Sequence, residues 1–223
     1  MLGIHDLPLF IASGLLLNIT PGPDMLYIIG RGSVHGPGAG VVAALGVGAG
    51  CLVHVTAATL GLSALLAASA TAFTMLKLVG AAYLVYVGVG MLLAKADGVT
   101  RSPSQAKMPP RCAMSLRRVF VQGFCTNALN PKVALFFLAF LPQFIDPASP
   151  HAALAFLILG LLFSLHGTVW NLLVGWSAAR VARWLSRSSS TRAAASGRLG
   201  RWCNRAVGSV FIYFGIRLAT AEA

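Results

Sequence analysis

The chain has 223 residues, 57% of them hydrophobic and only 10% charged, with a formal net charge of +12. A soluble domain averages about 25% charged residues, so the composition excludes an ordinary soluble domain. The apolar residues fall in long runs, the mark of a polytopic membrane protein, and the positive charge sits between those runs without a folded basic domain, which argues against nucleic-acid binding.

The first residues, Met1 to Pro8, carry Asp6 and no Lys or Arg. They lack the basic region of a cleaved signal peptide, so the first apolar run is expected to be retained. That run, Leu7–Gly30, contains Asn18-Ile-Thr20-Pro21-Gly22-Pro23-Asp24. Two prolines remove backbone donors and clash with the preceding turn. The sequence predicts a discontinuous helix whose loosened peptide groups line a cavity or are buried in protein. Asp24 is the only acid in any expected span, and an intramembrane acid is usually functional. Its bland alternative is helix capping beside a proline kink.

Five further runs approach the roughly 20 residues a spanning helix needs: Ala39–Leu66, Ala72–Ala94, Val119–Leu141, Ala152–Ser177 and Ala206–Thr220. The last is short, and its Arg217 would snorkel to the interface. Arg31 is placed in the first loop. Lys95, Arg101, Lys107, Arg111, Arg117 and Arg118 crowd between the third and fourth runs. A second group, from Arg180 to Arg205, crowds between the fifth and sixth around a Ser/Arg/Ala-rich linker. The positive-inside rule makes both basic loops cytoplasmic and, with six spans, both termini external.

The chain repeats itself. Gly14-x-x-x-Asn18 matches Gly123-x-x-x-Asn127, and each precedes a proline-bearing break, the second at Asn130-Pro131-Lys132. Lys77-Leu-Val-Gly80-Ala-Ala-Tyr83 resembles Arg205-Ala-Val-Gly208-Ser-Val-Phe211. Three spans per half make the halves enter the membrane in opposite directions. The expected fold is therefore all-α: six transmembrane helices as two inverted three-helix repeats with broken first and fourth helices. One transporter domain fills 1–223, with repeat one over about 7–94, a basic loop at 95–118 and repeat two over about 119–220. Paired broken helices at a repeat interface mark the substrate site of secondary transporters.

Asn18, Thr20, Asn127 and Asn130 are polar groups in apolar runs, and they either hold the broken backbones together or contact a substrate. Half-helix ends attract opposite charges, and a zwitterionic amino acid presents both. The expected binding set is Asn18, Thr20, Pro21, Gly22, Pro23, Asn127, Asn130, Pro131 and Lys132. Lys132 either neutralises Asp24, as a structural ion pair, or meets a substrate carboxylate. Asp24 and His54 are the candidates for proton coupling, since histidine titrates near neutral pH; His54 and His166 are equally readable as packing residues. Gly46, Gly48 and Gly50, with Gly80, Gly88 and Gly90, allow close helix approach.

Cys51, Cys112, Cys125 and Cys203 show no CxxC spacing, so no disulfide framework or zinc site follows. A membrane redox protein would need cysteines at repeat-equivalent positions, but Cys125 is matched by Leu16. A metal-ion exporter would need clustered His, Asp or Glu. A hydrolase would need a second acid or a Ser activated by His; Ser164 and His166, two apart, do not share a helix face.

These motifs, together with Phe136-Phe-Leu-Ala-Phe-Leu-Pro-Gln-Phe144 and Gly208-Ser-Val-Phe-Ile-Tyr-Phe-Gly-Ile-Arg217, resemble the LysE/RhtB family of bacterial amino-acid exporters over nearly the whole chain. The resemblance implies an inner-membrane secondary exporter of amino acids or close derivatives, driven by the proton-motive force, and not an enzyme. Spans two, four and five carry few charges beyond Lys132, which favours a neutral amino acid or one of homoserine or threonine type. The implied partners are the amino acid, protons and the lipid bilayer, with a homo-oligomer left open. No nucleic acid, cofactor, metal or catalytic residue is expected.

Overall fold

The structure is a computed structural model. It describes residues 2–20, 22–93 and 115–186, with Arg205, Gly208, Ser209, Ile212, Tyr213 and Ile216 beyond them. Pro21, both basic segments at 94–114 and 187–204, and most of the sixth run, Arg217 included, lie outside the described residues.

The chain is helical: α1 (Leu7–Ile19), α2 (Pro23–His35), α3 (Pro37–Ala57), α4 (Ser63–Ala68), α5 (Ala70–Leu93), α6 (Leu116–Ala128), α7 (Pro131–Leu135) and α8 (Ala152–Ser186). A π-helical turn, Ala58–Leu62, joins α3 to α4. A second, Phe136–Phe140, continues α7 into a 3-10 turn at Leu141–Phe144. No strand occurs among the described residues, only an antiparallel bridge between Ile4 and Ile145. Proline sets the starts: a proline opens the first turn of α1, α2, α3 and α7, where its missing N–H costs nothing and its fixed φ suits the helix. Between α2 and α3 the chain turns at Gly36, whose φ of 92° suits glycine.

Both expected breaks are present. α1 and α2 bend by 53°, and α6 bends by 44° against the stretch from Pro131 to Phe144. Among the described residues, Pro37–Leu65 and Ala152–Ala178 are each long and apolar enough to cross a membrane, and counting each bent pair as one span raises these two to four. Leu26, Leu52, Leu60, Leu165 and Leu173 are exposed, an outer surface suited to lipid.

α3 is the central helix, packed on α2, α6 and α8. Glycine makes that closeness feasible. A Cβ at Gly46 would strike the carbonyl of Phe120, one at Gly50 that of Phe124, and one at Gly40 the backbone of Gly175. Gly88 of α5 lies likewise against Gly208 and Ile212. Small residues serve membrane helices this way because lipid supplies no hydrophobic drive, so packing contacts must hold them. Gly90 differs from expectation: among the described residues, nothing lies within 4 Å of where its Cβ would stand. The main core is aromatic. Phe136 stacks on Phe163 at 4.5 Å, and Phe10 meets Phe144 edge-on at 5.2 Å.

Three boundaries correct the sequence reading. Arg31 lies inside α2, not in a loop, because its guanidinium donates to Gln122 Oε1 at 2.9 Å and lies 5.1 Å over the Tyr27 ring. Satisfied there, it lets α2 run on to His35. The connection between the second and third runs shrinks to Ser69, in extended conformation. α8 continues past Ser177 to Ser186, and the Arg180 guanidinium sits 3.9 Å from the Trp176 ring.

The N-terminal residues are strapped to the loop between the second break and α8. His5 N donates to Phe144 O at 3.1 Å, Asp146 N to Gly3 O at 2.8 Å, and Ser149 Oγ to Leu2 O at 3.1 Å.

Candidate substrate-binding site

A helix ends with carbonyls that have no intrahelical partner. At the end of α1, Thr20 Oγ1 donates back to Leu16 O at 2.7 Å. The Lys132 ammonium reaches across from the second break and donates to Leu17 O at 2.9 Å and Thr20 O at 3.0 Å. A cation at a helix C-terminus also meets the negative end of the helix dipole. Gly22 lies beside the lysine stem: a Cβ there would stand 3.6 Å from Nζ, in ordinary van der Waals contact.

Asp24 lies in the first turn of α2, where the helix dipole favours an anion. Its Oδ2 accepts from Asn127 Nδ2 at 2.8 Å and from Asn130 Nδ2 at 2.9 Å. Its Oδ1 is buried without a hydrogen-bond partner. Asn130 works in both directions: its Oδ1 also accepts from Lys132 N at 3.0 Å and caps α7. Behind Asn127, His54 Nε2 meets the Asn127 carbonyl at 2.9 Å. A carbonyl only accepts, so Nε2 carries the proton there.

The charged residues of the two breaks therefore do not neutralise each other directly. Lys132 holds the carbonyl end of α1, and Asp24 is held by two amides. Of the two roles open to Lys132, the direct ion pair with Asp24 does not form: the ammonium donates to two main-chain oxygens of the first break instead.

Both breaks open on one cavity. Leu17, Asn18, Thr20, Gly22 and Asp24 line it from the first, and Asn127, Asn130, Lys132 and Val133 from the second. Its volume is about 40 Å³, room for a few waters and not for an amino acid. Asn18 lies against Gly167 of α8, with its Nδ2 buried and unpartnered. Asn127 Oδ1 is likewise buried and unpartnered. Pro23 and Pro131 are exposed and start their helices without lining the cavity. His54 is buried one residue behind the wall, and His166 packs against Gly14 and Phe163.

The sequence reading missed the opposite wall. α8 supplies Ser164, Thr168 and Asn171, residues four and three apart and so on one helix face. That spacing of small polar residues in an apolar run was the available signal. Cys51 of α3 also borders the cavity and is free; Cys125 is free and exposed. Among the described residues no three His, Cys, Asp or Glu side chains gather as metal ligands.

The family described as LysE type translocator matches residues 15–222. The chain is 32% identical to an uncharacterized membrane protein of Pseudomonas aeruginosa, covering 99% of this chain and 97% of the relative. It is 30% identical to the homoserine/homoserine lactone efflux protein of Salmonella typhimurium, over 96% of this chain and 95% of that one. It is 24% identical to the leucine efflux protein of the same organism, over 99% and 98%. No solved structure matches the chain.

Proposed function

The chain belongs to the LysE type translocator family, and from that premise we propose that it exports a neutral amino acid across the bacterial inner membrane in exchange for protons. The observation that carries the reading is Asp24. One oxygen is fixed by two amides from the opposite break, and the other is buried without a partner at the cavity. An unpartnered carboxylate oxygen in a membrane span is costly. A proton or a substrate ammonium relieves that cost, and each excludes the other.

The exchange cycle follows. From outside, Asp24 takes a proton and releases the amino acid. From inside, it gives up the proton and binds the next ammonium. His54 stands behind Asn127 and keeps the asparagine in place for both states. The cavity is too small for an amino acid as it stands, so binding requires the two breaks and α8 to part. The names of the two efflux relatives support the substrate class.

The same reading includes the architecture. Two three-helix repeats of opposite orientation, with α5 as the third span and the segment around Gly208 as the sixth, account for the paired breaks. The Gly88 contact with Gly208 and Ile212 supports the pairing of those spans. Basic loops then face the cytoplasm and both termini the outside.

The test is counterflow of a panel of labelled amino acids into proteoliposomes holding the purified protein. Saturable exchange of a neutral amino acid is expected. Exchange of none of them overturns the reading.

A further inference from the structure

We propose that α8 reads the side chain of the transported amino acid and selects one bearing a hydroxyl over one that is purely aliphatic. The inference deepens the exporter reading and rests on it. The breaks supply groups suited to the atoms all amino acids share. Asp24 Oδ1 and Asn127 Oδ1 are buried acceptors without partners, and Asn18 Nδ2 is a buried donor without one. An ammonium brings donors and a carboxyl brings acceptors, so these three atoms match the common end of the substrate.

The variable end must then face the rest of the wall, which belongs to α3 and α8. α3 contributes Val47, Gly48 and Cys51, and the Cys51 thiol is already hydrogen-bonded with Ser164 of α8. Gly48 lets Thr168 approach closely, since a Cβ there would collide with Thr168 Oγ1. α8 contributes the polar face of Ser164, Thr168 and Asn171. Ser164 and Asn171 are each only 8% exposed. An aliphatic side chain closed against this face offers Thr168 and Asn171 no hydrogen-bond partner in place of water. A hydroxyl on the substrate satisfies them instead. Sites that hydrogen-bond a substrate hydroxyl reject the analogue lacking it far more strongly than apolar pockets reject an extra group.

Homoserine and norvaline make the test sharp, because they differ by a hydroxyl in place of a methyl. Counterflow of each is measured for the wild-type protein and for the Asn171→Leu and Thr168→Val variants. Wild type is expected to exchange homoserine at least about tenfold faster than norvaline. Asn171→Leu lowers that ratio about tenfold or reverses it, and Thr168→Val, which keeps the residue's shape, moves it the same way. A purely structural Asn171 would lower both rates together, and an unchanged ratio in both variants overturns the inference. A wild-type preference for norvaline also overturns it while leaving the exporter reading intact. Exchange of neither these nor any other amino acid overturns both.

Discussion

His54 touches Asn127 at 2.9 Å through the asparagine's main-chain carbonyl, while the same residue's side chain donates to Asp24 at 2.8 Å. The histidine and the acid thus grip one residue from opposite sides. The contact also fixes which histidine nitrogen bears hydrogen.

The carboxyl is the group the coupling depends on. Asp24→Asn copies the shape of the protonated acid and removes its titration. pH-driven uptake into inside-out vesicles should fall to background, while exchange down the amino-acid gradient partly persists. Full pH-driven transport by this variant would move the proton site elsewhere, with His54 next. His54→Gln, which keeps a donor for the Asn127 carbonyl but does not titrate, then decides between the two.

Lys132 should matter for stability as much as for transport. Lys132→Met keeps the length and apolar stem but abandons the carbonyls of Leu17 and Thr20. Hydrogen bonds to charged groups contribute about 1.5–3 kcal/mol each, so unfolding in detergent should come at lower temperature, with transport lost. An unaltered melting temperature would show that the ammonium is not fastening α1.

Glycine substitutions should split by position. Gly46→Ala places a Cβ against the Phe120 carbonyl, whereas Gly90→Ala meets no described residue within 4 Å. Overpacking costs about 1–3 kcal/mol. Gly46→Ala should lower the melting temperature clearly and Gly90→Ala hardly at all. Equal effects would show that α3 and α6 are not in close contact.

Orientation can be read by labelling single cysteines from the water on either side. A cysteine at Ser104 should react only from the cytoplasm and one at Ser149 only from outside. Reaction of both from one side would remove the inverted-repeat architecture.

The breaks were legible because proline and glycine act locally. Pro23 and Pro131 each force a helix to end and another to begin, whatever surrounds them. Asp24, Asn127 and Asn130 were legible because a polar residue in an apolar run needs a reason to be there. The partner of Lys132 was not legible: Leu17 O and Lys132 are 115 residues apart in sequence, and one main-chain carbonyl looks like any other in a sequence. Arg31 was misplaced because hydropathy ends a span at the first charge, while Gln122 and the Tyr27 ring accommodate that charge inside α2. Asn171 was missed because α8 reads as an apolar span, and only the closure of α8 over the breaks turns one of its faces into a wall.

The two amides that hold Asp24 are encoded 103 and 106 residues after it. At about 5–20 residues per second, the ribosome makes that stretch in roughly 5–20 s. For that interval the nascent first span holds an acid with neither asparagine yet made. A lone charge is expensive in hydrocarbon, so the new segment must carry a borrowed proton or keep α2 near the headgroups. The break suits that wait, since it lets α1 insert while the acidic half lingers at the interface. Final seating of the first span is then a late event in biogenesis, triggered by arrival of α6 and α7.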